Sequence, residues 1–166
     1  TWKTCNQIAK DHGLYLTWEF EPGFVLNKPS DVLRVLDAIP DDNFGVMYDT
    51  SHGHMVSVVG ARQHGDKEVV EGGQCGFLDK LDGRINHIHL IDSDNTCHKD
   101  DKGEDETSMH LPFGKGVVDF PPILKKLAAV KLKHDWWTVD LCFWPDAWDA
   151  TASCKQAMDG FVAEYT

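Results

Sequence analysis

The sequence predicts an α/β fold: a parallel sheet of buried strands with helices packed outside it. Two observations carry this. First, short apolar runs rich in β-branched and aromatic residues have the length of buried parallel strands. They are Leu14 to Trp18, Phe44 to Tyr48, Ile85 to Ile88 and Trp136 to Val139. Second, segments of helical period lie between these runs, and a strand–helix rhythm builds parallel sheets. Each run is followed by a side chain able to bind a metal: Glu19, Asp49, His89 and Asp140. An apolar strand with a charged residue at its C-terminal end marks a barrel or doubly wound sheet presenting a site.

Taken in order, Thr4 to His12 reads as a helix stopped by Gly13, since glycine is common just past a helix end. A strand follows to Glu19, and Glu21-Pro22-Gly23 opens a loop. Ser30 is placed to cap a helix whose Val32, Val35, Leu36 and Ile39 recur at helical spacing. Pro40-Asp41-Asp42-Asn43 is turn chemistry ahead of the strand Phe44 to Asp49. A short helix is expected within Thr50 to His64, and another over Cys75 to Leu81, closed by Gly83. The strand Ile85 to Ile91 leads into a polar loop, Asp92 to Lys115, of a length typical of a lid or a disordered segment. Asp119 is a candidate cap for a helix through Ala129, with Pro121 and Pro122 tolerated in its first turn and Ile123, Leu124, Leu127 and Ala128 as its buried face. The last strand is Trp136 to Cys142, and a final helix covers Ser153 to Tyr165.

The 166 residues are enough for one domain with a real core, and no linker divides them, so residues 1–166 are expected to form a single domain. At 42% hydrophobic and 26% charged, the composition is that of a globular chain. A net charge of −11 argues against a nucleic-acid partner, whose binding surface would be basic. The acidic run from His98 to Glu106 reads as a solvated loop. No apolar stretch approaches about 18 residues, so no membrane partner is expected. Five widely spaced cysteines without a C-x-x-C pair suit a reducing compartment, and the expected location is the cytoplasm.

Taken singly, the polar signals are weak. Asp49-Thr50-Ser51-His52 could be a capping aspartate and a surface histidine. His87 and His89 share strand parity and so one face, as do Glu19 and Glu21, but a lone buried histidine or strand-end carboxylate is commonly structural. Together they mean more. Converging carboxylates repel one another and raise their own pKa values, and buried charge needs a partner or a metal. One divalent cation bound by Glu19, Asp49, His89 and Asp140 meets both demands.

Four segments then resemble the sugar phosphate isomerase/epimerase group of the xylose-isomerase-like TIM-barrel superfamily: Trp18-Glu19-Phe20-Glu21-Pro22-Gly23, Tyr48-Asp49-Thr50-Ser51-His52, His87-Ile88-His89-Leu90-Ile91-Asp92, and His110 through Phe120 with Gly114-Lys115-Gly116 at its centre. Their order is similar too: Glu after the fifth strand, D-x-x-H after the sixth, H-x-H on the seventh, an acid on the eighth. The resemblance implies a (β/α)8 TIM barrel of which this chain holds about the last four strand–helix units, a half-barrel, since a closed barrel takes roughly 250 residues. It implies Glu19, Asp49, His89 and Asp140 as metal ligands, with Mn2+, Mg2+ or Co2+ favoured and Zn2+ compatible, because three carboxylates and one imidazole discriminate poorly among them. It implies Glu19, His52 and Asp140 as catalytic groups acting on a proton next to a carbonyl of a sugar or polyol, with His52, His110 and Lys115 contacting substrate. A structural turn around Gly114 and Gly116 is the other reading of His110 and Lys115. The group usually carries Glu on the eighth strand, where this chain has Asp140, one methylene shorter. The activity implied is isomerisation or epimerisation; a polyol dehydratase and an inactive binding module are the alternatives. An open half-barrel is further expected to need its missing N-terminal half or a second copy.

Overall fold

The computed structural model describes residues 1–134 and 136–166. Its centre is a four-stranded parallel sheet, the partial barrel that the sequence predicts. The strands are β1 (Leu16–Glu19), β2 (Phe44–Asp49) and β3 (Ile85–Leu90), with β6 (Thr138–Val139) on the far edge, in the order β1-β2-β3-β6. Helices α1 (Trp2–Asp11), α2 (Pro29–Ala38), α3 (Thr50–His54), α4 (Gly73–Lys80), α5 (Phe120–Leu127) and α6 (Ala147–Tyr165) complete the strand–helix units.

Strand parity divides the side chains. On β2, Phe44, Val46 and Tyr48 point to the helices and are buried, as are Ile88 and Leu90 on β3. They meet Val32 and Leu36 of α2, Phe77 and Leu78 of α4, and the stripe Phe120, Ile123, Leu124 and Leu127 of α5 in one core. That stripe has the i, i+3, i+4, i+7 spacing of an amphipathic helix, so burying it fixes how α5 lies on the sheet. Met47 and Asp49, with His87 and His89 paired beside them, take the opposite parity and face the inner side.

Some boundaries differ from the sequence reading. Ser30 lies inside α2, because Pro29 with its preset φ takes the first helical position. The end is capped from elsewhere: Glu68 accepts bonds from the Ser30 backbone N–H (2.7 Å) and hydroxyl (2.5 Å). After α3 the chain loosens into a π-turn, Met55–Val59, closed by Gly60 in the left-handed region. Asp119 stands at the α5 cap position without a side-chain cap bond. The last strand is only Thr138–Val139, and α6 begins at Ala147, six residues before the expected Ser153. The larger difference is in the loop from Asp92 to Lys115. It holds an antiparallel hairpin of β4 (Cys97–Lys99) and β5 (Asp105–Ser108), turning where the Asp100 carboxylate accepts the Lys102 and Glu104 N–H groups at 2.9 Å. The acidic run is this exposed turn, while Thr107 and Ser108 at its base are buried.

Candidate functional site

Parallel pairing brings all four strand ends to one side of the sheet. Asp49 is directly paired with His89, Glu19 with Met47, and His89 with Thr138. Glu19 and Met47 share a level, Asp49 lies two residues beyond Met47, and Asp140 lies two beyond Thr138. A step of two keeps the face, so Glu19, Asp49, His89 and Asp140 converge. One ligand atom from each lies within 4.8 Å of all the others. His89 Nδ1 is 3.3 Å from Asp140 Oδ2, 3.9 Å from Glu19 Oε1 and 4.0 Å from Asp49 Oδ2.

The Asp49 carboxylate is split between two tasks. Oδ1 caps α3, accepting the Ser51 N–H at 2.8 Å and the His52 N–H at 2.9 Å. Oδ2 is buried without a hydrogen-bond partner among the described residues, as is His89 Nδ1. Orphaned buried atoms of this kind are costly unless something binds them. Ligand atoms held about 2.1 Å from one ion sit roughly 3.0–3.4 Å apart. The spacings from His89 Nδ1, 3.3 to 4.0 Å, reach that range with closure of about 1 Å or less, so the donor set fits a divalent cation.

The electrostatics agree. Burial, then the charges of Asp49 and Glu21, push the Glu19 carboxyl up to about 7. Burial pulls the His52 imidazole down to about 4. Burial also raises Asp140, but the neighbouring imidazoles of His110 and His89 outweigh it and hold this carboxyl well below the usual range. Burial lowers His110, yet the Asp49 charge and the contacts with Asp140 and Cys142 drive it well above an ordinary imidazole. The raised Glu19 carboxyl marks the like-charge crowding that a cation relieves, while Asp140 and His110 already offset one another.

His52 stands beside the cluster. Its Nδ1 is 2.8 Å from Ser108 Oγ on the hairpin, which turns Nε2 toward Glu19 Oε1 (3.6 Å) and Glu21 Oε2 (3.9 Å). Glu21 is held in turn by the Thr107 hydroxyl, donating at 2.8 Å. His110, in the segment that follows the hairpin, is fully buried within the cluster. Its Nε2 faces Asp49 Oδ1 at 3.7 Å, and its Nδ1 faces Asp140 Oδ2 at 3.6 Å and Cys142 Sγ at 3.2 Å. Lys115 is exposed on a turn built around Asp92, whose carboxylate accepts the N–H groups of Ser93 (2.8 Å), Gly114 (3.0 Å), Gly116 (2.9 Å) and Val118 (3.1 Å). A side chain on Gly116 would collide with Ser93 O and the Asp92 carboxylate.

A family model described as a xylose isomerase-like TIM barrel matches residues 1–159. The chain belongs to that family. Among curated relatives, this xylose isomerase-like chain is 23% identical over 138 residues to an inosose dehydratase of Bacillus velezensis (strain DSM 23117 / BGSC 10A6 / LMG 26770 / FZB42), covering 79% of this chain and 40% of the relative. Among solved structures it is similar to an IOLI protein with a bound zinc atom, at TM-score 0.71 and 20% identity, covering 99% of this chain and 55% of the other. An L-ribulose 3-epimerase superposes at TM-score 0.52 and 16% identity, covering 99% and 56%. The chain spans about half the length of these relatives. No helix among the described residues is long and apolar enough to cross a membrane.

Sequence reasoning left Glu21, Thr107, Ser108 and Cys142 out of the site. Cys142 was signalled, lying two residues beyond Asp140. Thr107 and Ser108 were not, because the hairpin that delivers them read as loop.

Proposed function

We propose that this chain, as a single barrel-type domain, carries the metal site of a divalent-metal-dependent sugar or sugar phosphate isomerase/epimerase that works by proton abstraction next to a carbonyl. The observation that carries the reading is the convergence of Glu19, Asp49, His89 and Asp140 on one point, with buried ligand atoms of Asp49 and His89 left unpaired. A cation held there by these four residues supplies electrophilic stabilisation of a substrate oxygen. Mn2+, Mg2+ and Co2+ suit this donor set first, and Zn2+ is compatible with it.

The residues divide the remaining work. Glu19, partly open to the mouth and 3.9 Å from His89 Nδ1, removes and returns the substrate proton. His52, held through Ser108, directs Nε2 at a substrate oxygen. Asp140, kept ionised by His89 and His110, serves as a ligand and is a weak proton acceptor. Lys115, on its exposed turn, is left to contact the outer part of a small-molecule sugar or polyol.

The similarity to an inosose dehydratase favours a second reading. It shares the first proton abstraction and then expels water. The metal-loaded chain in deuterated water, offered keto-sugars and inosose and followed by NMR, separates the two. Deuterium at the carbon next to the carbonyl without water loss supports the isomerase/epimerase, and water loss supports the dehydratase. Equal metal content in the wild type and Asp49→Ala would overturn the metal site itself.

A further inference from the structure

We propose that His110 Nδ1, Asp140 Oδ2 and Cys142 Sγ form a second cation position, for a thiophilic divalent ion of the zinc class, sharing Asp140 with the four-residue cluster. The three ligand atoms lie within 4.8 Å of one another. His110 Nδ1 is 3.2 Å from the Cys142 sulfur and 3.6 Å from the Asp140 oxygen. For tetrahedral zinc, with Zn–N and Zn–O about 2.1 Å and Zn–S about 2.3 Å, those separations come to roughly 3.4–3.6 Å. Little movement is needed.

The burial of His110 adds to this. It is fully buried; its unpaired Nε2 faces Asp49, while Nδ1, the nitrogen turned to this position, meets only the Cys142 sulfur and the Asp140 carboxylate among the described residues. Its two nitrogens face carboxylates at 3.7 and 3.6 Å, beyond hydrogen-bond length, and the one closer partner is a thiol. An imidazole serving only as packing would have a backbone or hydroxyl partner, as His52 has in Ser108. An imidazole placed to bind ions has this environment.

The Cys142 backbone N–H donates to Asp140 Oδ1 at 3.0 Å, a short loop bond that holds thiol and carboxylate on the same side. Cys142 is exposed, so an ion reaches it from solvent, and among the described residues no other cysteine groups with ligating side chains. The sulfur sets the ion class: thiolate selects zinc and cobalt over magnesium and manganese. The four-residue cluster has no sulfur, so the two positions differ in hardness while sharing one carboxylate.

Cobalt(II) reads the two positions apart, because only a thiolate ligand gives the near-ultraviolet sulfur-to-cobalt charge-transfer band. Titrating the metal-free chain with Co2+ is expected to produce that band, and elemental analysis to find one more equivalent of Co2+ or Zn2+ than of Mg2+. Cys142→Ser, a change at an exposed side chain, is expected to abolish the band and one equivalent. Glu19→Gln is expected to keep the band while weakening the sulfur-free position, so failure of the proposed function and failure of this inference give different results. No band in the wild type, or a band that survives in Cys142→Ser, overturns the proposal.

Discussion

Replacing Asp49 by asparagine separates the two tasks of its carboxylate. Asparagine caps a helix as well as aspartate does, so the bonds from Ser51 and His52 to Oδ1 survive. The unpaired Oδ2, facing His89 Nδ1 at 4.0 Å, becomes an amide nitrogen that cannot bind a cation. Without metal, the variant is expected to unfold within about 1 kcal/mol of the wild type, the scale of a cap change. With metal at a thousandfold excess over Kd, a native-state ligand stabilises by about 4 kcal/mol, and the variant should lose nearly all of that increment. Asp49→Ala should lose the same increment and, in addition, about 1 kcal/mol in the metal-free state, for the vacated cap. Urea unfolding by circular dichroism, with and without chelator, measures all six stabilities. A metal-induced stabilisation that persists in Asp49→Asn, or is missing from the wild type, refutes the reasoning.

Other outcomes follow from the same geometry. In the metal-free chain Glu19 titrates near 7 instead of its ordinary 4.5. A carboxyl whose folded-state pKa is raised stabilises the fold fully below pH 4.5, and that contribution is lost as pH rises through 7, by about 3 kcal/mol at most. Glu19→Gln should remove this decline, and parallel pH–stability curves for variant and wild type would count against it. Asp92→Ala strands the N–H groups of Ser93, Gly114, Gly116 and Val118 and should cost about 3 kcal/mol or more, while leaving the metal stoichiometry unchanged; loss of bound metal in a folded variant would contradict that. The strands β1 and β6 end the sheet with unpaired edges among the described residues, near exposed Leu14 and Trp136. Concentration-dependent association in sedimentation is therefore expected, and a strictly monomeric chain would show that the edges are protected.

The parallel sheet was legible because burial on both faces leaves a coarse signal: apolar runs such as Phe44 to Tyr48 and Ile85 to Ile88, separated by helical stripes such as Val32 to Ile39. The four cluster residues were legible for a related reason. A charged side chain ending an apolar strand is conspicuous, and parallel pairing alone then sends Glu19, Asp49, His89 and Asp140 to one side. Even the brevity of β6 did not matter, since Asp140 needed only to follow Thr138 at the right parity. Ser30 misled because its cap-like character is spent on Glu68, a residue 38 positions away, which no local pattern reveals.

His110 shows where local reading stops. Its neighbours Met109, Leu111 and Pro112 carry no strand period, and the polar stretch before it resembles a solvated loop. What buries it is long-range. The Ser51 hydroxyl donates to Met109 O at 3.0 Å, Leu111 exchanges backbone bonds with Asp92, and the hairpin from Cys97 to Ser108 folds back to set Ser108 against His52. Each contact joins segments some 20 to 60 positions apart, and together they move His110 from the rim into the space between Asp49 and Asp140. There it changes the character of the site. His89 and His110 both approach the same Asp140 oxygen, which two imidazoles therefore share. The shorter aspartate then has a physical rationale: its oxygen already lies 3.3 Å from one imidazole and 3.6 Å from the other, whereas a longer glutamate would have to fold back to stay between them.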